Sequence, residues 1–246
     1  AEFHLDRPLW QQYLLYLAEI ATGDFGTAFD GRPVRELMTD AFPVTVRLML
    51  VALVIETVLG VLLGLVSGLR RHGPVDSAVL LATLVVVSVP TFVTGTLLQY
   101  LLGVKLALVP PAVSPAAPVS ELLVPGLVLA LVSLAYVARL TRISLVENVR
   151  AEYVRTAVAK GLSPRRVTVR HLLRNSLIPV VTFLGTDVGN LMAGALVTER
   201  IFNIQGVGYH LYQGVLRQNS PTVVGFVTLL VLAFLLANLL VDCLYA

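Results

Sequence analysis

The hydrophobic positions of this chain fall into five long runs rather than into the short periodic patterns of a soluble domain. A helix needs about 20 apolar residues to cross a bilayer, and four of the five runs lack the polar face of a soluble helix. The runs are Leu48–Leu69, Ala78–Val104, Leu122–Ala138, Leu177–Thr198 and Thr222–Val241. None alternates with the period of two that is typical of a membrane β-strand. The pattern predicts an all-α, polytopic membrane helical bundle with five spans in this chain.

The composition favours the same class of protein. Of the 246 residues, 57% are hydrophobic and 13% are charged, whereas soluble domains average about 45–50% apolar and about 25% charged residues. These values exclude a water-soluble enzyme and a disordered chain. The single cysteine, Cys243, excludes an intrachain disulfide framework and a metal site built from several thiolates.

The charges between the runs predict the orientation in the membrane. Arg139–Ser176 holds nine basic residues and two acids, and Arg70 and Arg71 follow the first run. Because basic connections stay in the cytoplasm, both segments are predicted to be cytoplasmic. The other connections, Ala1–Phe42, Gly103–Glu121 and Glu199–Pro221, are predicted to lie outside. Since residue 1 then lies outside without a signal peptide, we expect a preceding span and six spans in the parent protein.

The predicted domains are an extracytoplasmic segment, 1–42, and a transmembrane domain, 43–246, that contains the cytoplasmic loop 139–176. In the first, Asp6 is predicted to cap a helix that begins near Arg7–Pro8. The apolar face of this helix has two interpretations, a helix lying in the membrane interface or a docking surface for an external partner. Its residues are Leu9, Trp10, Tyr13, Leu14, Tyr16 and Leu17.

The cytoplasmic loop predicts a compact protrusion made of two helices. Ile143–Lys160 is predicted to be helical, and Gly161 to end that helix in the left-handed conformation. Ser163 is predicted to cap a second helix with Pro164 in its first turn. Spacing alone leaves two interpretations, a protrusion that seats in a partner's groove and a solvated basic loop beside anionic lipid.

Two segments of this loop, Glu152–Ser163 and Arg170–Pro179, resemble the cytoplasmic signature of ABC-importer permeases, and most of all the dipeptide/oligopeptide/nickel branch. The general signature has Glu-Ala-Ala, three residues and Gly, a frame that falls here on Arg155, Thr156, Ala157 and Gly161. Arginine therefore replaces the glutamate, as expected of the peptide branch. The resemblance extends over nearly the whole chain, through Gly23–Gly26, Arg32–Val34, Ser88–Pro90, Leu196–Phe202, Gly206–Gly208 and Ala237–Asp242.

The resemblance implies a permease subunit of an ATP-driven importer that moves peptides into the cytoplasm by alternating access. The implied partners are a second related permease, two ATP-binding subunits, an extracytoplasmic substrate-binding protein and the lipid bilayer, but no nucleic acid. The loop would dock on an ATPase. The implied contact residues are Arg155, Thr156, Ala157, Lys160, Gly161 and Leu162. The implied location is the bacterial cytoplasmic (inner) membrane.

The sequence predicts no catalytic residue, cofactor or metal in this chain. It lacks a phosphate-binding loop, so ATP and Mg are expected in the partner ATPases. None of its four histidines lies in a predicted span, which counts against an intramembrane enzyme. The alternatives left open are the same machinery carrying nickel or another small solute, and a self-sufficient secondary transporter.

Two acids lie inside predicted spans, where a charge costs roughly 2.5–3.5 kcal/mol on insertion scales. Asp187 and Asn190 are neighbours on one helix and are predicted to line the translocation path, or else to hydrogen-bond between helices. Glu56 is predicted to be a structural polar contact. Ile201 and Phe202 are predicted to seal the outer mouth as a gate. The small residues Gly185, Gly189 and Ala193 are predicted to permit a close helix contact.

Overall fold

The computed structural model describes residues 7–114 and 117–245, and within them the secondary structure is helical. Several short helices, a 3₁₀ turn and two π-helical segments connect or flank the long helices. The α-helices are α1 (Leu9–Thr22), α2 (Val34–Leu69), α3 (Pro74–Ser88), α4 (Thr91–Leu98), α5 (Leu123–Asn148), α6 (Glu152–Ala159), α7 (Pro164–Arg166), α8 (Arg174–Ser176), α9 (Ile178–Ile201), α10 (Val207–Leu216) and α11 (Ser220–Tyr245). The π-helical segments are Gln99–Lys105 and Val167–Leu173, and the 3₁₀ turn is Val119–Leu122.

The second predicted span, Ala78–Val104, is broken in the middle. Helix α3 and the helix Thr91–Lys105 meet at an angle of 102°. Proline has no amide hydrogen and disfavours a helical conformation in the residue before it, and Val89, before Pro90, is extended. In the described residues, four helices are long and apolar enough to span a membrane, or five if the bent pair counts as one span.

The first span begins earlier than its apolar run. Helix α2 starts at Val34 rather than at Leu48, because a polar amphipathic stretch extends it at the N-terminal end. Pro43 lies inside the helix without ending it. The predicted boundary between residues 42 and 43 therefore lies within α2.

Three glycines of α2 bring α2 and α5 into close contact along their length. A side chain at Gly60 would begin 2.6 Å from Val137 Cγ1, and one at Gly64 would begin 2.5 Å from Thr141 Cβ. Gly68 faces Leu145 in the same way. The residues that these glycines face follow one another in the same order along α5 as the glycines do along α2, so the two helices run parallel. Small residues at a four-residue spacing permit this approach.

The predicted small-residue stripe on α9 contacts α11. Side chains at Gly185 and Gly189 would collide with Val241 and Phe234 respectively. Ala193, in contrast, is exposed. The close helix contact is confirmed for the two glycines, and the inclusion of Ala193 was wrong.

The connections separate into the two groups that the charge pattern predicts. At one end, the loop after Lys105 reaches the end of α9 through a hydrogen bond from Val113 N to Phe202 O (2.9 Å), and Gly26 lies against Pro221. At the other end, the turn after α2 lies beside α5 and α6. The three predicted outer connections therefore share one end of the bundle, and the two basic connections share the opposite end.

Helix α1 lies against the outer end of α11. The predicted cap, Asp6, falls outside the described residues, and the helix begins at Leu9 with Pro8 in the N-cap position rather than inside the first turn. The Tyr16 hydroxyl lies 3.1 Å from Thr228 Oγ1, while Trp10 and Tyr13 on the predicted apolar face are exposed. Both interpretations of this face remain predictions.

Candidate functional site

The predicted protrusion exists, but its first helix is interrupted. The continuous helix expected over Ile143–Lys160 ends at Asn148 and restarts at Glu152, because Ala151 is extended. The Asn148 amide donates to Ser144 O (2.9 Å) and accepts a hydrogen bond from the Tyr153 hydroxyl (2.8 Å). These two bonds fix the angle at which α6 leaves α5.

A small apolar core lies beneath α6. Val154 and Ala157 on α6 pack with Leu145 of α5 and with Val167 and Leu172 of the following π-helical segment. Ala157 is only 5% exposed, so its side chain faces the interior of this chain. The expectation that the Ala157 side chain is presented to an ATPase is therefore corrected.

The exposed tip of the protrusion is formed by the end of α6 and the turn after it. Arg155, Thr156, Lys160 and Gly161 are exposed, and Leu162 is half-buried against the small core. Gly161 has φ +73°, which confirms the predicted left-handed end of the helix. Pro164 occupies the first turn of α7 as predicted, but Ser163 makes no side-chain capping hydrogen bond.

The sequence interpretation missed one residue of this tip. Val158 is 60% exposed although it is apolar and lies next to buried Ala157. Adjacent side chains of a helix point about 100° apart, so Ala157 faces the core while Val158 faces outwards, a difference that the composition of this apolar run does not reveal. Val158 is therefore the apolar side chain that the tip presents.

A buried ion pair holds the base of the protrusion to the α2–α3 turn. Arg142 on α5 donates to both oxygens of Asp76, from Nε at 2.6 Å and from the guanidinium Nη2 at 2.7 Å. Asp76 also accepts hydrogen bonds from the Ser67 hydroxyl (2.5 Å) and from His72 N (2.9 Å). Asp76 is 3% exposed. The sequence interpretation did not single out this pair; its only signal is an acid in the first turn of a helix that follows Gly73 and Pro74.

At the outer end, Glu199 and Thr45 cap the N-terminus of α10. The Thr45 hydroxyl donates to Glu199 Oε1 (2.6 Å) and accepts from Val207 N (2.8 Å), while Tyr209 N donates to Glu199 Oε2 (3.0 Å). A side chain at Gly206 would collide with both caps, and one at Gly208 would collide with the α9 backbone at Leu196. The Gly206-Val-Gly208 motif therefore makes room for a buried cap.

The two residues of the predicted gate, Ile201 and Phe202, are packed at the outer end of the bundle. Phe202 is 1% exposed within the chain's own core, and Ile201 packs beside it. The Ile201 carbonyl accepts a hydrogen bond from Gln99 Nε2 (2.6 Å). Both residues are packing groups in this conformation, because the loop that follows Lys105 covers them, and their role as a gate stays a prediction.

The predicted path residues differ in exposure. Asn190 is exposed, whereas Asp187 is buried. The Asn190 amide donates to Asp187 Oδ1 at 3.2 Å, as their spacing predicts. Glu56 on α2 is fully buried, and its carboxyl group lies beside Asp187 and Ser133. This arrangement favours the interhelical interpretation of Asp187 and leaves Asn190 as the candidate for a path-facing side chain.

A cavity of about 230 Å³ lies at the outer end between the N-terminal segment and α10. Asp30, Arg32, His210 and Arg217 are among the residues that line it. The His210 ring stacks on Phe226 with a centroid separation of 5.6 Å. Burial lowers the pKa of His210 and the positive charge of Arg32 acts in the same direction, while Asp40 and Asp30 oppose it.

We expect acidification to destabilise the protein through His210. Because its folded-state pKa lies below the unfolded value of about 6.5, the folded state binds fewer protons, and stability falls as pH drops through that value. The thermal midpoint should therefore decrease between about pH 7.5 and about pH 5.5. The decrease should be smaller in His210→Gln. An equal decrease in both proteins would contradict this assignment.

The parallel pairing of α2 and α5, the further long helices and the protrusion define a polytopic helical membrane protein of the transporter class. The chain belongs to the family of binding-protein-dependent transport system inner membrane components, whose family model matches residues 60–246. It is accordingly a multi-pass protein of the bacterial inner membrane, and a membrane permease subunit.

Individual relatives cover the whole chain. It is 38% identical over 247 aligned positions to the dipeptide transport system permease protein DppB of Bacillus subtilis (strain 168), covering 100% of this chain and 80% of the relative. DppB of Escherichia coli (strain K12) is 34% identical, covering 100% of this chain and 81% of the relative. The oligopeptide transport system permease protein OppB of Haemophilus influenzae is 33% identical, covering 100% of this chain and 81% of the relative.

A solved structure confirms the fold class. The chain matches a crystal structure described as an amino acid ABC transporter with histidines, with a TM-score of 0.66 and 14% identity. The match covers 93% of this chain and 96% of that chain. At this identity the match concerns the fold alone, and it confirms the prediction of an all-α membrane bundle.

Proposed function

We propose that this chain is the permease subunit of an ATP-driven importer of dipeptides or oligopeptides. The observation that supports it most strongly is the similarity of the whole chain to permeases named for dipeptide and oligopeptide transport. The complex would contain a second related permease, two cytoplasmic ATPases that bind ATP and Mg, and an extracytoplasmic substrate-binding protein. Cargo would pass between the two permeases, and the chain itself would perform no covalent chemistry.

The contact with the ATPase would be made by the tip of the protrusion. Its exposed residues combine a large apolar side chain, Val158, with the cations Arg155 and Lys160. Arg155 is paired with Glu152 at 2.8 Å on the exposed face. The small core beneath α6 would pass a displacement of the tip to α5, because closely packed side chains move together. ATP binding would thereby bias the permease between inward-facing and outward-facing states.

Uptake into vesicles tests the proposal. The full permease complex, reconstituted with its ATPases and its binding protein, should accumulate labelled dipeptide only when ATP is supplied on the cytoplasmic side. An ion gradient without ATP should drive no uptake; if it does, the chain acts as a secondary transporter. A parallel panel of nickel complexes and other small solutes tests the alternative cargo.

Val158→Asp is expected to uncouple the protrusion from the ATPase. A carboxylate placed in an apolar contact must be desolvated, so ATPase copurification and transport should both fall at least about tenfold, which corresponds to roughly 1.4 kcal/mol. The side chain is exposed, so the thermal midpoint should not change. The matched control is the exposed Val169→Asp on the next segment. Wild-type copurification of Val158→Asp would contradict the contact.

Gly161→Val is expected to reduce transport while membrane insertion persists. At φ +73° a β-branched residue is strained by roughly 1–2 kcal/mol, although among the described residues no atom lies within 4 Å of the place where the side chain would begin. Gly161→Asn is the control, since asparagine tolerates the left-handed conformation. Transport by the Asn variant should exceed that of the Val variant at equal membrane abundance. Equal transport by both would show that backbone conformation is not the constraint.

A further inference from the structure

Three buried carboxylate oxygens without a hydrogen-bond partner lie together in the middle of the bundle. They are both side-chain oxygens of Glu56 and Oδ2 of Asp187. Glu56 is 0% exposed and Asp187 is 4% exposed. A buried acceptor without a donor costs about 1–3 kcal/mol, and more when it is charged. Three such atoms at one place indicate that a hydrogen-bonding group is needed there.

The two carboxyl groups come from different helices and face each other. The carboxyl group of Glu56 on α2 lies beside that of Asp187 on α9, and Ser133 on α5 is a further neighbour of Glu56. The other oxygen of Asp187, Oδ1, already accepts a hydrogen bond from Asn190.

Two ionised carboxylates in contact away from water repel each other, so they cannot both be charged at once. We propose that Glu56 and Asp187 share a single proton and form a proton-binding site that joins α2 to α9 inside the membrane. The Glu56 carboxylic acid donates its proton to Asp187 Oδ2, and its carbonyl oxygen accepts a hydrogen bond from Ser133. In this arrangement the shared proton engages one Glu56 oxygen and Asp187 Oδ2, the Ser133 hydroxyl engages the other Glu56 oxygen, and Asp187 keeps its charge and its bond from Asn190.

This assignment gives each residue a role beyond a polar contact. Glu56 is the proton donor that positions Asp187, and Ser133 orients the acid. The pair holds one negative charge instead of two within the bundle, which reduces the cost of burying it. Because α2 also packs along α5, the shared proton ties together the three helices that meet at this point.

The test uses the full-length protein in lipid nanodiscs and requires no transport. Glutamine reproduces a protonated glutamate, since its amide N–H can donate where the acid O–H does. The thermal midpoint of Glu56→Gln should therefore lie within about 2 °C of the wild type. Glu56→Leu leaves Asp187 Oδ2 without a donor and should lower the midpoint by about 5 °C or more. Thr57→Val is the matched control, since the Thr57 hydroxyl bonds only its own helix at Leu53 O.

Infrared spectroscopy detects the proton itself. The wild type should show the carbonyl stretch of a protonated carboxylic acid at neutral pH, and Glu56→Gln should lack it. If the wild type has no such band, or if the Gln variant is as unstable as the Leu variant, the shared proton is excluded. A midpoint that rises with sodium or potassium in the wild type but not in Glu56→Gln would also overturn the proposal, because it would show a cation in place of the proton.

Discussion

Asp76→Ala is expected to destabilise the protein more than any other single substitution considered for this chain. The change leaves the Arg142 guanidinium at a largely buried position without its carboxylate, and it removes the acceptor for Ser67 and His72. Breaking a buried ion pair by removing one partner costs about 3–5 kcal/mol. We expect a loss near the lower end of that range, about 3 kcal/mol, because 20% of the Arg142 side chain is exposed. Equilibrium unfolding in mixed micelles measures the difference.

Two controls separate the buried pair from the effect of charge alone. Glu152→Ala removes an ion pair in which both side chains are largely exposed, and such pairs contribute about 0–1 kcal/mol. The double variant Asp76→Leu with Arg142→Leu should recover much of the loss, because a buried pair replaced by apolar groups is often close to neutral. A double variant less stable than Asp76→Ala would contradict this explanation.

Glu199→Ala is expected to have the second-largest effect, about 2 kcal/mol of stability. The substitution removes the acceptor for the Thr45 hydroxyl and for Tyr209 N at the buried start of α10. Those donors have little access to water, since Glu199 and Thr45 are both fully buried. The outer segment should loosen first, which hydrogen exchange of α10 amides measures as faster exchange than in the wild type.

Two control variants, Glu199→Gln and Arg200→Ala, test whether the capping hydrogen bonds cause this loss of stability. Glutamine retains one acceptor oxygen, so its loss should be intermediate between those of the wild type and the alanine variant. Arg200 is the exposed neighbour, with its guanidinium 5.0 Å from the Tyr212 ring centre, and its removal should cost about 0.5–1 kcal/mol. If Arg200→Ala were as destabilising as Glu199→Ala, the capping hydrogen bonds would not be the cause.

In the protrusion, the local sequence predicted the end of α6 but not which side of α6 faces outwards. Gly161 was predictable because the left-handed conformation that ends a helix favours glycine wherever it occurs. The side of α6 that faces outwards was not predictable, because Ala157 and Val158 are both small and apolar. Only the packing of α6 on Val167 and Leu172 decides that Ala157 is buried and Val158 exposed.

At the outer end, too, the sequence did not predict which apolar residues are buried. The residues of the predicted gate, Ile201 and Phe202, follow a span and are apolar, which is typical of a pore-lining seal and of a packed core alike. The loop after Lys105 covers them, and a contact between segments so distant in the chain has no signature in either segment alone.

The sequence by itself determined that the protein is a helical membrane bundle, how its connections divide between two sides, and which permease family it belongs to. Those properties depend on local hydrophobicity, on the count of basic residues and on short motifs, all of which are present in the chain before it folds. The tertiary structure decided the parallel packing of α2 on α5, the cap made by Thr45 and Glu199, and the meeting of Glu56 with Asp187. Each of these features depends on which helices become neighbours. Inside a membrane all the helices are apolar, so hydrophobicity does not select the neighbours, and close packing between residues far apart in the sequence does.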